Sequence, residues 1–238
     1  MLKIKFDYTF YLFLLLIILS GMFKQFSFIF ILLFFHEMGH ALMGLILKWK
    51  LVSITFYPYG GRTLFETYEN SSIKEEMLIL LSGPFFQIIT FLLLNYFFKY
   101  DYIKNYHLTI LFFNLLPIYT LDGGRLLNLV LNKFFNYLKS FYITIFISFV
   151  TIICLIIFCF MYYYNVNLFL LNLFLLFKLI RCIKDIKYCY HKFLVERYLY
   201  DFNFKKRKVS NDIYSFYKEC YHYIDFNDEK KYLNKYFK

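Results

Sequence analysis

The sequence predicts an all-α polytopic membrane protein of about six transmembrane helices, the fourth of them broken. Three observations carry this. Apolar residues make up 61% of the 238 and charged residues only 18%, against about 45–50% and about 25% in a soluble domain. Charge is concentrated at one end: residues 181–238 hold 14 of the 27 Lys and Arg and 8 of the 16 Asp and Glu. The rest contains apolar runs at 8–23, 26–47, 76–98, 106–131, 141–162 and 164–181, most of them near the roughly 20 residues that a helix needs to cross the hydrocarbon core. A disordered chain, a collagen-like chain and an ordinary cytosolic domain are excluded.

The first run follows Lys3 and Lys5, as in a signal peptide. No small-residue cleavage site comes after it and the second run starts almost at once, so it reads as a retained helix. In the fourth run, Pro117 and Gly123-Gly124 break the helix. Such a break is tolerated within a membrane only where it is buried in protein or lines a polar cavity. The fifth and sixth runs are almost free of charge, with Lys178 at the far end.

Six spans put both termini on one side. With the termini in the cytoplasm, Lys3, Lys5, Lys48, Lys50, Arg62, Lys74, Lys133 and Lys139 lie inside, and only Lys24, Lys99 and Lys104 lie outside. That asymmetry obeys the positive-inside rule. The expected organisation is a membrane body over 1–181 and a basic cytoplasmic tail over 182–238, with Lys205-Lys206-Arg207-Lys208 facing water or lipid headgroups. The net charge of +11 is then a topology signal, and no nucleic-acid partner is expected. Cys154, Cys159, Cys182, Cys189 and Cys220 form no secreted disulfide framework. The three in the tail, with His191 and His222, match no zinc module.

Ionisable residues inside spans are costly and point to function. The second run contains Phe35-His36-Glu37-Met38-Gly39-His40-Ala41, an HExxH sequence. Four residues apart on a helix, His36 and His40 share a face and can bind one metal ion. Glu37, one position round, suits a general base that contacts water without being a ligand. Two core histidines with a buried carboxylate would each need a partner or cost several kcal/mol. Catalytic zinc usually takes three protein ligands and keeps one position open. Asp122, the only acid between Asp101 and Asp185, is the candidate third ligand. The alternative for it is a membrane-edge residue paired with Arg125.

HExxH in an early span and Asn114-Leu115-Leu116-Pro117-Ile118-Tyr119-Thr120-Leu121-Asp122-Gly123-Gly124 in a later one together resemble the site-2 protease family of intramembrane zinc metalloproteases. The resemblance covers residues 8–138. It implies one Zn2+ per chain held by His36, His40 and Asp122, with Glu37 activating water. It also implies that Asn114 and Pro117 hold the substrate strand or orient the site. Tyr57-Pro58-Tyr59-Gly60-Gly61 resembles a short membrane-dipping loop after the HExxH helix, and Ser82-Gly83-Pro84 the small-Gly-Pro signature of the third span. Ordinary readings of these two segments, a turn and a helix-packing site, stay open. The segments at Gly60-Gly61 and Pro117 are expected docking edges for an extended substrate.

The compact layout without a PDZ insertion resembles the branch of the family that processes an inactive sigma-factor precursor in endospore formers. Members of that branch are held inactive by other membrane proteins, and the better-known ones end in a nucleotide-sensing domain for which this tail is too short. The implied substrate is a membrane-associated protein, with membrane-bound inhibitory partners, in a bacterial cell membrane or a membrane surrounding the forespore. Two alternatives remain. One is the same chemistry on an anti-sigma factor or signal-peptide remnants. The other is a non-catalytic zinc-binding scaffold or a metal transporter; an intact Glu37 argues against the first of these and the nearly uncharged last two spans against the second.

Overall fold

The computed structural model describes residues 3–58, 60–163, 166–224 and 227–237. Most of these are helical, but the expectation of an all-α chain is corrected by two small three-stranded sheets. The chain divides into two units, one running to Thr67 and then Lys74–Asn114, the other comprising Tyr68–Ile73 and everything from Leu115.

The first unit opens with β1 (Ile4–Phe6), which runs parallel to β2 (Lys50–Tyr57); β2 turns back into β3 (Gly60–Glu66). The segment expected to dip as a loop is therefore a β-hairpin, and Tyr59 of that segment lies outside the described residues. Alternation explains the strand: Gly61, Thr63 and Phe65 are half-buried while Arg62, Leu64 and Glu66 are exposed, the period of two that a one-sided strand requires. Gly60 sits at φ 146°, a conformation that residues bearing a Cβ rarely adopt.

Asp7 caps α1 (Tyr8–Leu19) by accepting from the Thr9 amide at 3.0 Å. The helix ends before Gly21, which has φ 72°. Its 12 residues give a length of roughly 18 Å, shorter than the first expected span. The helix α2 (Phe23–Ile46) carries Phe26, Phe30, Phe34, Met38 and Ala41 on one face, and this face packs on Phe10, Ile54 and Phe56. Phe34 stacks on Phe56 with ring centroids 5.7 Å apart. After α3 (Ile73–Phe98), which contains Pro84, comes α4 (Asp101–Leu115).

The second unit contains the far side of the broken span. The backbone is non-helical over 116–121, and α5 (Asp122–Asn132) follows. Then come α6 (Tyr137–Phe158), with a π-helical turn at Cys159–Tyr163, and α7 (Val166–Leu199), a single helix that runs through the sixth expected span into the charged region. Beyond it, β4 (Lys206–Val209) pairs with β5 (Cys220–Ile224), β5 with β6 (Asn227–Asp228), and α8 (Glu229–Phe237) closes the segment. Ile213, Phe216, Ile224 and Leu233 bury themselves against Tyr190, Phe193 and Leu194 of α7. The basic run is thus largely strand, with Lys206-Arg207-Lys208 in β4.

Among the described residues, three helices, α2, α3 and α6 extended to Met161, are long and apolar enough to cross a membrane. The chain is an integral membrane protein.

Candidate metal centre

The HExxH residues lie in the middle of α2, where His36, Glu37 and His40 are all buried. The two histidines point away from the sheet, toward α3. That approach depends on glycine. A Cβ on Gly39 would come within 2.6 Å of the Ser82 carbonyl oxygen, and the Ser82 hydroxyl donates to the Gly39 carbonyl at 2.9 Å. A Cβ on Gly83 would lie 2.3 Å from His40 Cε1 and 3.0 Å from His36 Nε2. The Ser82-Gly83 pair is therefore both a helix-packing contact and the wall of the histidine pocket.

Each imidazole is oriented through Nδ1. His36 Nδ1 lies 3.0 Å from Gln87 Oε1, and His40 Nδ1 lies 2.7 Å from the carbonyl oxygen of Ile79. A carbonyl only accepts, so His40 carries its proton on Nδ1. Gln87 Nε2 donates to the His107 carbonyl at 3.2 Å, which turns Oε1 toward His36 and makes His36 Nδ1 a donor as well. Both Nε2 atoms then present lone pairs, and they face each other at 3.2 Å. Two lone pairs at that distance repel unless a cation or proton sits with them. Imidazole nitrogens backed by hydrogen-bonded Nδ1–H groups are standard zinc ligands, so the residues present fit the metal.

Glu37 points to the hairpin instead. Its Oε2 accepts from the Thr63 hydroxyl at 2.7 Å. A Cβ on Gly61 would lie 2.3 Å from Glu37 Cγ and 2.9 Å from Oε1. The first unit thus brings together His36, His40, Glu37 and Gly61 of the expected site. Asn114 lies in the last turn of α4, half-buried.

Pro117 and Asp122 belong to the second unit. Pro117 lies two residues past the end of α4, where it cannot continue a helix, and Asp122 is the first residue of α5. The non-helical backbone between them is satisfied locally. The Tyr119 amide donates to Ser148 Oγ at 2.9 Å, and the Leu121 amide to the Ile118 carbonyl at 2.8 Å. Both glycines are required, because a Cβ on Gly123 would come within 2.2 Å of the Leu115 oxygen and one on Gly124 within 2.1 Å of the Ile118 carbonyl carbon. Sequence reasoning missed Gln87, His107 and Thr63. The available signal for the first two was a polar residue in an apolar run; for Thr63 it was the strand alternation.

An integral membrane protein with a zinc-compatible HExxH pair inside an apolar helix defines a class, the membrane metalloenzymes of HExxH type. Residues 25–104 match peptidase family M50. The chain is 28% identical to stage IV sporulation protein FB of Bacillus subtilis over 76% of this chain and 66% of that protein. It is 32% identical to a zinc metalloprotease of Methanocaldococcus jannaschii over 58% of this chain and 45% of the relative. It therefore spans less than two thirds of the length of either relative. The solved site-2 protease from Methanocaldococcus jannaschii superimposes with a TM-score of 0.57 at 28% identity, covering 76% of this chain and 91% of that one.

Proposed function

We propose that the chain is an intramembrane zinc endopeptidase, with one Zn2+ held by His36, His40 and Asp122 and with Glu37 as general base. The observation that carries this reading is the pair of Nε2 lone pairs 3.2 Å apart, backed by fixed Nδ1–H groups, with a buried carboxylate one residue away. Two imidazoles and a carboxylate leave zinc the open position that catalysis requires. When bound, the metal supplies Lewis-acid chemistry, acidifying water and polarising a peptide carbonyl.

The residues of the chain do the rest. Glu37 accepts the proton of the attacking water and passes it to the amine that leaves as the C–N bond breaks. Gln87 and the Ile79 carbonyl engage the Nδ1 groups of His36 and His40 and hold both rings oriented, with their Nε2 atoms toward the metal position. Asn114, by its side-chain amide, stabilises the negative charge on the former carbonyl oxygen. A helical substrate must unwind to expose its carbonyls, and the non-helical backbone at Pro117 and the strand at Gly60-Gly61 offer edges on which it can dock.

In this reading the membrane body has six spans with both termini cytoplasmic, and 182–238 is a cytoplasmic tail. The substrate is a membrane-associated protein, and the resemblance to stage IV sporulation protein FB favours a sigma-factor precursor processed during sporulation. Membrane-bound inhibitory partners and a location in the bacterial cell membrane or around the forespore belong to the same reading. The test is co-expression of the Glu37→Gln protein with a candidate precursor, crosslinking of what it traps, and cleavage by the intact form. Glu37→Gln is expected to keep zinc and lose cleavage, and Asp122→Asn to lose zinc. Full cleavage by purified Glu37→Gln protein sinks the proposal.

A further inference from the structure

We infer that Thr63 is a positioning residue for the general base, so that the β-hairpin, not α2 alone, sets the direction of the Glu37 carboxylate. This rests on the reading of Glu37 as the base given above. The two carboxylate oxygens stand in different surroundings. Oε2 accepts from Thr63 Oγ1 at 2.7 Å. Oε1 lies 2.9 Å from where a Cβ on Gly61 would stand, and among the described residues the hydrogen bond seen at this carboxylate is the one to Oε2. One oxygen is anchored and the other is left to handle the proton.

The anchor is rigid for reasons of sequence. Thr63 is paired across the sheet with Ile54, a fully buried core residue, and its branched Cβ restricts χ1 to few rotamers. Register then selects which residues meet Glu37. Gly61 and Thr63 face α2, while Arg62 and Leu64 face away and are exposed. A slip of one residue would put an arginine or a leucine against the carboxylate. Gly61 supplies room and Thr63 supplies the hydrogen bond. A second Thr63 contact, to the Glu37 carbonyl at 3.2 Å, places the same hydroxyl over the backbone of the residue it orients.

The test uses full-length, zinc-loaded protein in detergent, with β-casein as an unstructured substrate. Wild type, Glu37→Gln, Thr63→Val and Thr63→Ser are compared for kcat, KM, zinc content and melting temperature. Thr63→Val keeps the shape and removes the donor. It is expected to retain zinc, melting temperature and KM while kcat falls about 10- to 100-fold, the usual effect of displacing a group that orients a catalytic one. Thr63→Ser, which restores the hydroxyl, is expected to recover most of that loss. Three results overturn the inference: wild-type kcat in Thr63→Val, equal losses in Thr63→Val and Thr63→Ser, or loss of zinc from Thr63→Val, which marks a structural role. If wild type leaves casein uncut, or Glu37→Gln cuts it as well as wild type, the protease reading fails first and the Thr63 inference with it.

Discussion

The Nδ1 atom of His36 lies 3.0 Å from Oε1 of Gln87, and the same amide donates from its nitrogen to the His107 carbonyl at 3.2 Å. The chain α3–α4 contact therefore reads through to the tautomer of an imidazole on α2. Gln87 is fully buried and His107 nearly so, and the His107 ring stacks on Phe91 with centroids 4.2 Å apart. Such a buried partner on Nδ1 fixes the tautomer and the orientation of an imidazole.

Replacing Gln87 with leucine keeps the volume and removes the acceptor for His36. Zinc affinity is expected to fall about 10- to 100-fold, the range found when such a supporting group is lost. Competition against a chromophoric chelator measures it. Unchanged affinity would show that the Gln87 amide does not orient the ligand.

Gly83→Ala is expected to do more damage than its size implies. The new methyl would lie 2.3 Å from His40 Cε1 and 2.4 Å from Nε2, and α3 cannot simply retreat because Ser82 is hydrogen-bonded to Gly39. Either the imidazole rotates away from its Ile79 acceptor or the helices separate. Zinc content by atomic absorption should fall well below one per chain, while Gly21→Ala, where nothing lies within 4 Å of the new Cβ, should leave it unchanged.

The HExxH helix and the interrupted fourth span were legible because each rests on a residue pattern that contradicts its surroundings: two histidines and a glutamate in an apolar run, and Pro117 followed by Gly123-Gly124. The hairpin was not. Its strands are 8 and 7 residues long, and the run of Val52, Ile54 and Phe56 lies between two longer apolar runs whose density hides a period of two. The support for His36 was hidden for another reason. Gln87 and His107 are far apart in the chain and join the site only when α3 and α4 pack, a contact that no local spacing encodes. The tail read as solvated because its charges are evident, whereas its core is spread thinly over Ile213, Phe216, Ile224 and Leu233 and is completed by α7.

Ser148 supports the interrupted backbone from α6. Its hydroxyl accepts from the Tyr119 amide at 2.9 Å and donates back to the Thr144 carbonyl at 2.7 Å. It is fully buried, so Ser148→Ala leaves the Tyr119 amide without that partner. The expected cost is about 1–3 kcal/mol, read as a lower melting temperature in detergent. Ser148→Thr, which keeps the hydroxyl, should lose less if its extra methyl is accommodated.

The C-terminal segment should loosen in acid. His222 on β5 is fully buried. Its Nε2 accepts from the Tyr217 amide at 2.9 Å, and its Nδ1 lies 3.3 Å from Glu229 Oε2. Neutral imidazole satisfies both contacts by carrying its proton on Nδ1; a second proton on Nε2 would displace the Tyr217 amide. The charged groups facing it are Glu229 on α8, Arg197 on α7 and Lys208 on β4. Burial, reinforced by Arg197 and Lys208 and opposed by Glu229, holds His222 below its ordinary value of 6.5. Burial alone would raise Glu229, but its bonds to His222 and Arg197 outweigh that and hold it below 4.5. In both cases the unfolded chain takes up protons before the folded one. Stability is therefore full above about pH 6.5, declines below it as unfolded His222 protonates, and declines further below about 4.5 through Glu229. Hydrogen-exchange protection factors for Cys220–Ile224, corrected for intrinsic rates, should drop between pH 7.5 and 5. His222→Gln removes the titrating group and should flatten that drop, whereas an identical profile in the variant would assign the acid response to other residues.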